Sequence, residues 1–259
     1  LGKRSAWRQS EVLQKWMNKL TEEVVDPATL EQATEPEVRA LGACYRLYRS
    51  QLEKTNSLDF PSYQLETLRL LQEHPRIRQE LHLKISHILV DEYQDTNSVQ
   101  ERILKLLTND KQNLCVVGDD DQGLYRFRGA TIRNILEFPD LFPNKECKQV
   151  SLTVNYRSHP EIIKFYDQWM HRQKWHLEDK RFRYKKAIEP RQDTFPDAPA
   201  VIKIATPEDG NHHQEILAFL HRLKGTGKLT DLNQVCFLFR SVKHHSVVAL
   251  SEFLERNGI

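Results

Sequence analysis

Three short apolar runs, each stopping at polar or charged side chains, constrain this chain more than anything else in it. They are ISHILV at 85–90, NLCVVG at 113–118 and QVSLTV at 149–154. Segments with helical spacing lie between them, SVQERILKLL at 98–107 and RNILEF at 133–138. Strands alternating with helices predict a parallel α/β sheet, because each parallel step needs a crossover and the strands end up buried. A second alternating stretch follows. HPEIIKFYDQWM (159–170), HHQEILAFLHRL (212–223) and VVALSEFLERNG (247–258) read as helices, with AVIKIA (200–205) and VCFLFRS (235–241) as strands. Residues 1–80 carry no strand signal. Val12, Leu13, Trp16, Met17 and Leu20 follow helical spacing, as do Leu41, Cys44, Tyr45, Tyr48 and Leu52, so an all-helical subdomain is expected there.

Composition narrows the class. Of the 259 residues, 39% are hydrophobic and 29% charged, enough for a core under a heavily charged surface. Net charge is only +2, so any nucleic-acid contact has to rest on local clusters. Apolar runs of four or five residues fall far short of the roughly 18 that span a bilayer, and no signal peptide is visible. The four cysteines lie far apart without a CxxC pair and are expected to be reduced core thiols. A soluble, cytoplasmic protein follows. The chain lacks an initiator Met and stops at LERNGI, as expected of a fragment.

The polar ends of the strands carry the chemistry. In open parallel sheets ligands sit at the carboxyl ends of strands, and ILV is followed there by Asp91 and Glu92, then Gln94 and Asp95. One acid can bind Mg²⁺ while its neighbour polarises a water; a polar loop facing solvent is the alternative. The second strand ends in Asp119, Asp120 and Asp121, and continues through Gln122 to Tyr125, Arg126, Phe127, Arg128 and Gly129. This order suits a Gln that senses phosphate and a basic–aromatic segment that stacks on single-stranded bases, worth roughly 1–3 kcal/mol per base. The alternative is a surface loop with both aromatics tucked inward. The third end places Asn155, Tyr156 and Arg157. Arg157 can neutralise transferring phosphate as an arginine finger, or simply pair with a nearby carboxylate.

Taken together, VDEYQDTNSVQ, VGDDDQGLYRFRGA and LTVNYRS closely resemble motifs II, III and IV of UvrD/Rep-type superfamily-1A DNA helicases. YRLYRSQLEKTNSLDF resembles the segment before motif II, and QVCFLFRSVKHHSVVALSEFLERNGI resembles motif IVa and its following helix. The resemblance covers most of the chain from about residue 40 and implies RecA-like P-loop NTPase sheets. On that basis residues 1–80 are part of subdomain 1B, 81–155 part of 1A and 156–259 the first part of 2A, with a basic insert at 171–199. It implies ATP and Mg²⁺ as cofactors, with Asp91 on the metal, Glu92 as general base and Gln122 as γ-phosphate sensor. Tyr156 would stack on adenine, Arg157 would be the arginine finger, and Tyr125, Arg126, Phe127 and Arg128 would line the DNA track. Single-stranded or junction DNA and repair or recombination proteins are the implied partners, with 3′–5′ polarity. Gly123 stands where the family commonly has Ser, Phe127 where it often has Trp, and LDF continues as PSY rather than an acidic pair, which weakens a DNA contact around Asp59.

No G-x-x-x-x-G-K-[ST] precedes motif II, so the chain by itself is expected not to hydrolyse ATP. KGTGKLT at 224–230 lacks the spacing and the terminal Ser/Thr, and reads as a turn at a helix end. The stretch 171–191 holds eight Lys/Arg against three acids, with Trp175, Phe182 and Tyr184 interleaved; phosphate contact and a solvated face both suit it. The eleven histidines show no ligand spacing and read as surface residues. Two other parents stay open: a degenerate helicase-like DNA-binding or scaffolding module without ATPase activity, and a helicase–nuclease fusion.

Overall fold

The computed structural model describes residues 6–109, 113–124, 130–142, 147–177, 180–191, 199–206 and 211–259. Contacts divide the chain into two compact units, Leu1–Thr153 with Arg172–Ala187, and Val154–His171 with Ile188–Ile259. The chain therefore crosses from one unit to the other three times. Helices alternate with short strand pairs, two parallel and one antiparallel among the described residues, an α/β arrangement rich in helix.

The first unit begins with α1 (Ala6–Glu22), α2 (Pro27–Glu31), α3 (Pro36–Lys54), α4 (Phe60–Glu73) and α5 (Pro75–Lys84). Helices α2, α3 and α5 start on a proline and α4 has Pro61 as its second residue, where the missing N–H would have had no intrahelical partner anyway. Asp26 and Asp59 cap α2 and α4 by accepting from the N–H groups of Ala28 and Ser62. Asp59 also accepts from the Tyr48 hydroxyl, so its carboxylate is committed to the helical fold. Met17, Leu20 and Tyr45 form one small core. Trp16 and Cys44, expected on the same stripes, are exposed.

The strand-and-helix part of this unit holds β1 (Ile88–Val90), α6 (Ser98–Leu107), β2 (Leu114–Val116) and α7 (Arg133–Leu136). β1 and β2 pair in parallel with Ile88 opposite Leu114 and Val90 opposite Val116. Val90, Leu114 and Val116 pack on Tyr93, Ile135, Leu136 and Phe138. Leu89 is 79% exposed and Cys115 is exposed, so only one face of this pair is covered, a correction to the expected two-sided burial. The cysteines are corrected too: all four are free thiols, but Cys44, Cys115 and Cys236 are exposed and only Cys147, half-buried, packs against the core around Tyr93 and Phe138. β4 (His176–Leu177) and β5 (Lys180–Arg181) form an antiparallel pair in the returning segment.

Three predicted strands do not form as such. At 149–154 only Val154–Asn155 pairs (β3), in parallel with β6 (Glu189–Pro190) of the second unit. The runs at 200–205 and 235–241 join no ladder among the described residues. An apolar run becomes a strand only beside a neighbour that offers N–H and C=O groups, and here Leu152, Ile202 and Leu238 lie exposed. The predicted helices do form, as α8 (Pro160–His171), α9 (His212–Gly225) and α10 (His245–Arg256). Leu220, Leu229, Leu250 and Leu254 make the core of α9 and α10. KGTGKLT is a helix-ending turn: Gly225 closes α9, Gly227 takes φ +70°, and the N–H groups of Lys228 and Leu229 donate to Leu223 O. Among the described residues no helix is long and apolar enough to cross a membrane.

Candidate functional site

The carboxyl ends of β1 and β2 lie side by side, and their loops interlock. Val117 N donates to Val90 O, and Tyr93 N donates to Val117 O (2.8 and 3.0 Å). The chain turns sharply after Asp91 because Glu92 adopts a left-handed backbone, φ 47° and ψ 39°. For a residue with a Cβ this costs roughly 1–3 kcal/mol and points to a position held by its surroundings. Those surroundings are identifiable. A short 3₁₀ turn (Tyr93–Asp95) follows, Tyr93 is buried edge-on against Phe138, and Asn97 caps α6 in a reciprocal pair with Gln100. Buried Asn134 donates to Thr96 O, Thr96 Oγ1 and Asn97 O, pinning the turn from α7.

Asp91 and Glu92 are both exposed at this corner. Asp91 makes no ion pair or side-chain hydrogen bond with another described residue, so its carboxylate is open to a hard cation of the Mg²⁺ type. Glu92 is restrained: Gln94 Nε2 donates to its Oε2 at 2.6 Å. Asp95 lies beside it with Oδ1 buried and unpartnered, and burial, then the Glu92 charge, push its carboxyl above the ordinary carboxylate range.

Gln94 is the residue that sequence reasoning passed over. Its side chain is 1% exposed. One end donates to Glu92 and the other, Oε1, accepts from Asp119 N at 3.0 Å, joining the two loops. Gly118 is required for this approach, since a Cβ there would stand 2.6 Å from Gln94 Oε1 and 2.7 Å from Ile135 Cδ1. The available signal was an amide two residues after the acids, facing a glycine at the end of the next strand.

The aspartates after β2 are not repelling one another in solvent. Asp120 is buried, and Asp119 and Asp121 are half-buried. Asp119 Oδ2 accepts from Gln122 Nε2 at 2.9 Å, and Lys186 Nζ binds its other oxygen. Burial pushes the Asp119 carboxyl up, but the hydrogen bonds from Lys186 and Gln122 and the ammonium charge outweigh it and hold the group below its usual range. The three carboxylates lie close enough to share a metal, yet Lys186 and Arg183 already pair with them, whereas Asp91 has no such cation beside it among the described residues. Gly123 has an unstrained φ of −65°, and a Cβ there would press Ile132 Cδ1 at 3.1 Å. Tyr125, Arg126, Phe127 and Arg128 lie outside the described residues.

Tyr156 and Arg157 belong to the second unit. Asn155 Oδ1 accepts from the N–H groups of Arg157 and Ser158 (2.9 and 2.8 Å), a turn that fixes the backbone and leaves both side chains outward. Tyr156 is 69% exposed, with the Arg191 guanidinium 5.6 Å from its ring centroid. Arg191 is delivered there by the β3–β6 pair, its N–H donating to Asn155 O. Of the histidines whose burial is described, His82, His159 and His213 are half-buried, His82 with Nε2 2.8 Å from Leu106 O, and the others are exposed as expected. The candidate residues thus stand as two groups, Asp91, Glu92 and Gln122 in one unit, and Tyr156 and Arg157 in the other.

Comparison with known proteins decides the family. Residues 3–143 match the UvrD/REP helicase N-terminal domain. The chain belongs to this family. A Staphylococcus epidermidis protein named ATP-dependent DNA helicase PcrA is 44% identical over 119 residues, 46% of this chain and 16% of the relative. Mycobacterium tuberculosis ATP-dependent DNA helicase UvrD1 is 39% identical over 158 residues, 57% of this chain and 20% of that protein. Staphylococcus aureus PcrA is 38% identical over 148 residues, with the same two shares. The chain spans about a fifth or less of the length of these relatives.

Proposed function

We propose that this chain is the central part of an ATP-dependent DNA helicase or translocase, moving 3′–5′ on single-stranded DNA in repair or replication. Its β1–β2 loops would form one wall of a RecA-like ATP site. The observation that carries this reading is the bonded chain Glu92–Gln94–Asp119–Gln122, which ties a candidate general base to a candidate phosphate sensor. A scaffold without chemistry gains nothing from a strained, exposed glutamate steered by a buried amide.

In this reading Asp91 is the ligand that would hold Mg²⁺, whose bound form neutralises charge on the phosphates. Glu92 accepts the proton of the attacking water. Gln94 keeps the Glu92 carboxylate aimed and links it to the loop that bears Gln122. Gln122 contacts the terminal phosphate. Tyr156 stacks on the base, Arg157 meets the developing charge, and the segment with Tyr125, Arg126, Phe127 and Arg128 touches DNA. The isolated chain, without a phosphate-loop sequence, is inactive.

Steady-state ATPase assays of the full-length protein with single-stranded DNA test this. Glu92→Gln should lower kcat by about 10²–10⁴-fold, the span of general-base contributions, while DNA binding persists. Turnover by the isolated 259-residue chain that vanishes in Glu92→Gln would overturn the inactive-fragment part. A full-length protein that binds DNA but never hydrolyses ATP would establish the scaffolding alternative instead.

A further inference from the structure

The basic stretch 171–191 has no place in the mechanism above, yet part of it is built into the first unit. Arg183 is 7% exposed and its guanidinium grips Asp121 as a fork, Nε to Oδ1 at 2.7 Å and Nη2 to Oδ2 at 3.0 Å. Tyr184 N donates to Asp120 Oδ2 at 2.7 Å, and its hydroxyl donates to Ile135 O and Leu136 O (2.9 and 3.1 Å). Lys186 Nζ binds Asp119 and lies 2.5 Å from Asp120 and 3.1 Å from Asp121. Three successive acids are therefore answered by a segment more than 60 residues later in the chain.

The consequence falls on Gln122. Asp119 holds that carboxamide by one oxygen while Lys186 holds Asp119 by the other. We propose that Lys186 and Arg183 are positioning residues for Gln122: they fix the aspartate loop so that the sensor is presented in one orientation, instead of contacting DNA phosphate. Three crowded carboxylates without these cations would repel, and the loop would splay. Bidentate Arg183 supplies the fixed geometry, and Lys186 the charge that reaches Asp119 itself.

This inference rests on the ATPase reading, and the test separates the two. Full-length wild type, Lys186→Ala, Lys186→Met, Lys186→Arg, Gln122→Ala and the Gln122→Ala/Lys186→Ala double variant are compared for kcat, KM for ATP, melting temperature and the salt dependence of single-stranded DNA binding. Lys186 carries the test because its side chain is less enclosed than that of Arg183, and Lys186→Met keeps the aliphatic stem should alanine open the fold. Lys186→Ala and Lys186→Met are expected to lose about tenfold in kcat with KM within about twofold, and Lys186→Arg to recover most of it. Because Lys186 acts through Gln122, the double variant should be no slower than Gln122→Ala alone. Losses that multiply, or an unchanged kcat, would overturn the proposal. So would a log–log salt slope lower by about one, which marks a lost phosphate contact. An inert wild type would sink the ATPase reading first and this inference with it, whereas an active wild type with an indifferent Lys186 sinks this inference alone.

Discussion

The two corners that carry the candidate chemistry are built in opposite ways. In the first unit most of the described groups are held by another side chain: Glu92 by Gln94, Asp119 by Gln122 and Lys186, Asp121 by Arg183. In the second unit Tyr156 and Arg157 project from a turn fixed only at its backbone by Asn155, with Arg191 laid against the exposed ring. The first corner has its orientation built in, and any change there reaches both chemistry and folding. The second is exposed, and change there should reach chemistry alone.

The sharpest separation comes from Arg157→Ala in the full-length protein. If Arg157 acts as proposed, turnover should fall by about 10³–10⁵-fold, the span known for arginine fingers, with no change in melting temperature. A drop in melting temperature would show that Arg157 has a structural partner and blur the contrast. Gln94→Ala should do both things at once. It strips the acceptor from Asp119 N and the donor from Glu92, so stability falls by roughly 1–3 kcal/mol along with kcat. If kcat survives while stability falls, the bridge is architectural only. Gly118→Ala pushes a methyl toward Gln94 and Ile135, and should cost a similar or smaller amount, about 1–3 kcal/mol by overpacking, with a milder loss of rate.

The latch of Lys186 on the aspartates adds a pH test. Asp119 sits below its usual range, so its contribution is present above the unfolded carboxylate value of 3.8 and is lost only as pH falls through the lower folded value. Lys186 is opposed by burial, but hydrogen bonds to Asp119 and Asp120 carry it above 10.5. Its contribution is complete below that value and is lost as pH rises through the folded one. The stability difference between wild type and Lys186→Ala should therefore be flat across the neutral range. A slope in calorimetric melting there would mean that another titrating group shares the latch. The smallest effect belongs to Arg191→Ala: an exposed cation–π contact is worth about 0.5–1 kcal/mol, so KM for ATP should change only a few-fold.

How much of this was legible in the sequence follows from how local each cause is. Helices α2, α4, α6 and α9 announce themselves through a proline, aspartate or asparagine at the first turn. The β1 and β2 strands were readable because each run stops at acids, and the family motifs placed Asp91, Glu92 and Gln122 on their ends. The runs at 149–154, 200–205 and 235–241 carry the same apolar signal but pair barely or not at all, since a ladder depends on a neighbour that composition cannot supply. The hidden parts of the site are the nonlocal ones. Gln94 looked like one more polar loop residue until Gly118 brought Asp119 N against it. Arg183 and Lys186 looked like members of a basic run, because nothing in a cation's identity tells whether it faces solvent or three aspartates 62 to 67 residues away.

Three crossings between the units have a practical corollary for anyone dissecting this protein. No single cut of the chain yields both units whole. A piece starting at Val154 would take residues 172–187 away from the aspartates that neutralise them and leave Tyr184 without its seat on Ile135 and Leu136. A piece ending at Thr153 would keep three crowded carboxylates and lose both cations. Separating the units cleanly therefore calls for transplanting that strap, by circular permutation or by supplying it as a peptide, rather than for choosing a better truncation point.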